Sequence, residues 1–190
     1  INDSSKLLRK FRLNLNSRTL IDKEWIGSRN YCRVLMRATS SMSLNIVKSI
    51  SENLIELRIM YGKMHLRSLT RILIKSSKLK ELSIVKLNFI SKDVLREPLP
   101  VLKLNKLHYN GDKVLFRILM ESSVKSVSVF SISNTSDEIK YFKEFLKVQK
   151  NLESLELSSF NVDLKIFEDE ALLSVDFRLK KLLINTLKQF

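Results

Sequence analysis

Glycine and proline are nearly missing from this chain, with three and two in 190 residues. That scarcity excludes a collagen-like chain and argues against a disordered linker. It also disfavours sandwiches and up-and-down barrels, which need many tight turns. A single cysteine, Cys32, excludes an intramolecular disulfide framework and a cysteine-based zinc site. One thiol suits a reducing compartment, so the expectation is a cytoplasmic or nuclear chain. No apolar run approaches the roughly 18 residues of a membrane span, and no membrane partner is expected.

Chemical motifs are missing too. There is no Walker-type phosphate loop, no dinucleotide-binding glycine run, no nucleophile elbow and no HExxH pair. His65 and His108 are far apart, and neither has a second ligand-type residue at helical spacing to complete a site. The cluster Glu168, Asp169 and Glu170 reads as charge near a helix start, and Trp25 as a packing residue. The expectation is a protein that is not an enzyme and carries no cofactor or metal.

What is present is leucine, 33 residues of it, and basic charge, with 34 Lys and Arg against 20 Asp and Glu for a net +14. A basic surplus suits an acidic partner, whether protein, nucleic acid or anionic lipid. The competing explanation is compositional, since Lys, Asn, Ile and Ser are all used heavily.

One pattern, apolar-x-x-apolar-x-apolar, runs the length of the chain. It is clear at Leu54, Leu57, Ile59; at Leu79, Leu82, Ile84; at Leu152, Leu155, Leu157; and at Leu179, Leu182, Ile184. Weaker copies begin at Leu8, Tyr31, Leu104 and Val124, which makes eight copies at near-even spacing. Within a copy, apolar and polar residues alternate with the period of a half-buried strand. Between copies the apolar spacing turns helical, as at 70–77, 112–123 and 136–151, with similar stretches at 43–53 and 165–175. In 136–151, Ile139, Phe142, Phe145, Leu146 and Gln149 trace one face.

Each unit is therefore expected to be a strand, a turn and a helix. Such units bury their apolar faces only by stacking into a parallel sheet with helices behind it. Strands sit closer together than helices, so the stack curves with its helices outside. A doubly wound α/β domain is the alternative. It covers both sheet faces and makes strands almost continuously apolar. Here the alternate strand positions are polar, as at Glu56 and Arg58 or Glu153 and Glu156, so one face is expected to be wet.

The pattern resembles the leucine-rich repeat family, whose units run 20–29 residues. The phrases KLKELSIVKLNFI and NLESLELSSFNVD are most similar to repeats of eukaryotic F-box/leucine-rich-repeat proteins. The resemblance implies one α/β horseshoe domain over 1–190, about eight irregular repeats, and a longer parent chain with an F-box upstream. It further implies the substrate-recognition part of an SCF-type ubiquitin ligase receptor, reached by the SCF adaptor through that F-box. The family's turn asparagine is mostly replaced here: Asn16 keeps it, while Gly62 and Leu87 take its place in later copies.

In this architecture the wet strand positions line the concave surface. They carry eleven basic residues against four acidic ones, a surplus equal to half the net charge. The basic contacts expected for a partner are Arg9, Lys10, Arg12, Arg33, Arg37, Arg58, Lys80 and Lys106, crowded toward the first copies. Ile55, Met60 and Phe130 supply apolar anchors, His108 a polar contact, and Glu153 and Glu156 a later acidic patch. Three readings follow: a docking face for an acidic protein, a nucleic-acid binder, or a scaffolding segment. Few aromatics interleave the basic residues, which weakens the nucleic-acid reading.

Overall fold

The computed structural model describes residues 12–15, 33–38, 47–48, 50–90, 98–111, 114–130, 136–159 and 179–186. Eight strands follow one another: β1 (Arg12–Leu15), β2 (Arg33–Ala38), β3 (Glu56–Met64), β4 (Glu81–Phe89), β5 (Lys103–Gly111), β6 (Ser123–Phe130), β7 (Ser154–Ser159) and β8 (Lys181–Thr186). They form one sheet in strict chain order, and every pairing is parallel. A doubly wound sheet reverses its strand order at a switch point. This order never reverses.

Register follows the sequence pattern position by position. Leu57 lies beside Leu82, Leu82 beside Leu107, Leu107 beside Val127, Val127 beside Leu155, and Leu155 beside Leu182. One backbone bond recurs with it. The second-position carbonyl of a copy accepts the second-position N–H of the next copy: Ile55 from Lys80 at 2.8 Å, Lys80 from Asn105 at 2.7 Å, Lys125 from Glu153 at 2.8 Å and Glu153 from Lys180 at 2.8 Å.

Parallel strands need a crossover that returns the chain to the start of the sheet. Among the described residues, three helices of five residues or more lie on such crossovers: α1 (Leu66–Lys75), α2 (Val114–Ile118) and α3 (Ser136–Val148). The start of α1 precedes the expected stretch at 70–77, because Leu66 and Leu69 extend its buried stripe one turn earlier. The helix α2 is much shorter than 112–123 suggested: the chain passes through a turn at 119–121 and enters β6 at Ser123. Of the stretch at 43–53, Val47, Lys48 and Ile50 are helical and Ser51–Asn53 form a 3₁₀ turn. The stretch at 165–175 lies outside the described residues, as do Trp25, Cys32 and the acidic cluster at 168–170.

Alternation divides the sheet into two faces. Leu57, Ile59, Leu82, Ile84, Leu107, Tyr109, Val127 and Val129 are all at most 1% exposed and join one hydrophobic cluster with the helix residues Leu69, Ile72, Leu73, Phe116, Phe142 and Phe145. Phe116 packs edge-on against Tyr109 at 5.1 Å between ring centres, and at a tilt against Phe142 and Phe145 at 5.0 Å each. Aromatic pairs of this geometry add about 1 kcal/mol beyond their buried area.

Two buried polar side chains tie successive copies together. Gln149 Oε1 accepts the Val124 N–H at 2.9 Å, and its Nε2 donates to the Ser122 carbonyl at 3.0 Å. The Ser122 hydroxyl accepts the Leu102 N–H at 3.1 Å and donates to the Pro100 carbonyl at 2.8 Å. Each satisfies backbone groups at or just ahead of the start of a strand that would otherwise be buried and unpaired.

Candidate functional site

The opposite face of the sheet presents rows of side chains at the spacing of neighbouring strands, about 4.8 Å. One row runs Arg33, Glu56, Glu81, Lys106. The next runs Leu35, Arg58, Ser83, His108, Ser128, Glu156, Leu183. A third brings Arg37, Met60, Val85 and Asn110 into line. Arg33, Arg37, Arg58, Lys80 and Lys106 are exposed. Ile55, Met60, His108, Phe130, Glu153 and Glu156 are half-buried. Arg9 and Lys10 lie outside the described residues, and Arg12 is placed only by its backbone pairing with Arg33.

The strands thus gather most of the expected contact residues on one surface, but the charge is not evenly spread. At the expected wet positions of β2–β5 and of the residues just before them, five basic side chains (Arg33, Arg37, Arg58, Lys80, Lys106) meet two acidic ones (Glu56, Glu81). On the later strands three basic side chains (Lys125, Lys180, Lys181) meet Glu153 and Glu156. Both of those acids are engaged: Lys180 Nζ stands 3.2 Å from Glu153, and the Ser128 hydroxyl donates to Glu156 at 3.1 Å.

Glu56 departs from expectation. Its strand position is on the wet face, yet it is only 7% exposed. Arg33 on β2 reaches it through Nε at 3.4 Å, and Arg58, two residues along β3, reaches it through Nε as well. The long arginine side chains cover the carboxylate they neutralise.

Beside this cluster, β3–β5 enclose a depression of about 370 Å³ lined by Glu56, Arg58, Met60, Glu81, Val85, Lys106 and His108. His108 closes one end, its ring 4.9 Å from that of Phe130. Burial holds its pKa below the ordinary histidine value; the Glu156 carboxylate pulls it back up, and the Arg58 guanidinium presses it down. The imidazole is therefore largely neutral at pH 7. His65 is exposed just ahead of α1 and makes no side-chain cap bond.

At the carboxyl end of the same strands, Tyr61 and Lys86 hold left-handed backbone, with φ of 51° and 50°. They occupy the same position in successive copies, and the sheet register skips both. Each is an extra residue in its strand, a bulge, and it lets the strand run on to Met64 or Phe89. Lys86 Nζ lies 5.9 Å from the Tyr61 ring centre. Nothing in the sequence signals this, because glycine is the usual residue for such backbone.

No family model matches the chain, and no curated protein and no solved structure matches it either. Among the described residues, no three metal-ligating side chains gather, and no helix is long and apolar enough to cross a membrane. The open face presents exposed cations, a largely neutral imidazole, and half-buried Met60, Val85 and Phe130 between them.

Proposed function

We propose that the chain is a leucine-rich-repeat solenoid, a horseshoe with its helices outside, and that the open face of its sheet docks an acidic protein. The repeat reading is supported by the second-position hydrogen bond that recurs from copy to copy, and by the matching bulges at Tyr61 and Lys86. The docking reading is carried by one observation: the basic surplus of β2–β5 lies on the exposed face, interleaved with half-buried apolar side chains. Basic surfaces with apolar anchors suit acidic protein partners, since charge steers encounter and the anchors supply contact area.

The finer role is substrate recognition within an SCF-type ubiquitin ligase, and it rests on the family resemblance of the repeat phrases. Its test is co-purification of the SCF adaptor with the protein expressed from its complete reading frame. The docking reading is tested with a fluorescein-labelled peptide of alternating glutamate and leucine, followed by anisotropy, with a lysine–leucine peptide as control. Arg37→Glu with Arg58→Glu abolishes binding of the acidic peptide if the reading holds, and leaves it unchanged if the face is mere solvated surface. A single-stranded oligonucleotide that binds instead, with a steep inverse salt dependence, would move the function to nucleic acid.

A further inference from the structure

Glu56 carries the wrong sign for a surface that attracts acids, and it sits in the middle of that surface. Removing it would make the face more basic. Its geometry gives it another part to play. Arg33 and Arg58 meet the same carboxylate from different strands, and both do so through Nε. A guanidinium that engages Nε keeps four further N–H donors on its two terminal nitrogens. Half of each arginine side chain remains exposed, 50% for Arg33 and 46% for Arg58. The trio carries a net single positive charge, and each planar fork is tied through its Nε to one carboxylate. A planar fork matched to a carboxylate gives bidentate bonds, and a fork already held loses less freedom on binding.

We propose that Glu56 is a positioning residue that holds Arg33 and Arg58 as one paired anchor for a carboxylate side chain of the docked protein. The proposal rests on the docking reading above and deepens it, because it assigns the recognition of an acid to two arginines rather than to diffuse charge. Met60 and Val85, one row along, give the neighbouring apolar side chain of the partner its contact. Glu81 and Lys106 stand beside each other in the register and offset one another, so they add no net charge to the anchor.

The test is Glu56→Gln in the whole protein, read with the same glutamate–leucine peptide. Diffuse electrostatics makes this variant bind more tightly, since a negative charge has gone. The paired anchor makes it bind about fivefold more weakly, because two arginines must be immobilised on binding. Arg58→Gln weakens binding about tenfold, the loss of a charge-assisted bond. Unchanged or tighter binding by Glu56→Gln overturns the anchor and leaves the docking face standing. Failure of the native protein to bind the acidic peptide overturns both. Thermal unfolding of each variant checks the fold. If Glu56→Gln does not fold, Arg33→Gln and Arg58→Gln decide: a double variant little worse than either single one supports a shared anchor, and strictly additive losses overturn it.

Discussion

Strands β4 and β8 are written almost alike, KLKELSI at 78–84 and RLKKLLI at 178–184, yet their leucines live in different surroundings. Leu82 is 1% exposed and Leu182 is 50% exposed. Ile84 is fully buried, while Ile184 is half-buried. The residues are the same, and so is their strand register, with Leu182 beside Leu155 as Leu82 is beside Leu57. The difference is in the company they keep. Strand β4 lies between β3 and β5, whereas β8 has only β7 beside it among the described strands. A repeat pattern decides which way a side chain faces. Whether that direction is dry depends on the strands and helices packed against it.

Truncating both leucines separates the two surroundings by the largest margin. Leu82→Ala should destabilise the protein by about 3–4 kcal/mol, the cost of a buried methyl-bearing group plus its cavity. Leu182→Ala should cost below about 1 kcal/mol, as for other half-exposed sites. Urea denaturation followed by circular dichroism measures both, and equal losses would show that β8 is as well packed as β4.

Gln149→Leu comes next. It keeps the helix and the volume but strands the Ser122 carbonyl and the Val124 N–H, and the loss should be about 2 kcal/mol. Hydrogen exchange adds a local reading, with the Val124 amide losing protection before those of β4.

His108 supplies a smaller and pH-dependent effect in the central part of the sheet. Its pKa is lowered in the folded state, so the unfolded chain binds the proton more readily. Stability should be flat above about pH 6.5, the unfolded value, and should fall as pH drops from there through the lower folded value. His108→Asn should flatten that part of the profile, as measured by denaturation midpoints at pH 7.5 and 5.5.

The smallest effect belongs to the outer strands. Lys180→Ala removes an exposed pair with Glu153 and should cost no more than about 0.5 kcal/mol, less still at high salt.

Much of the sheet was legible in advance because leucine spacing is a direct record of it. Leu57, Leu82, Leu107 and Leu155 mark the strands, and polar residues between them mark the open face. The helix at 136–151 was legible for the same reason: Phe142, Phe145 and Leu146 share a stripe, and all three are fully buried. Gln149 read as one more member of that stripe. Its hydrogen bonds were invisible because their partners lie 25 and 27 residues upstream. The burial of Glu56 is hidden from the sequence for a related reason. The arginine that covers it from β2 is a separate copy away, and alternation says nothing about how far a long side chain leans. The bulges at Tyr61 and Lys86 were hidden because residue type there argues against the backbone they adopt.

The polar clasps also bear on how the chain is made. Ser122 reaches back 22 residues to the Pro100 carbonyl, and Gln149 reaches back 27 to that of Ser122. Both point toward the amino terminus, so neither needs anything not yet synthesised. A nascent chain leaving the ribosome can fasten one unit as soon as the next clasp emerges, and the two clasps would close in the order of translation.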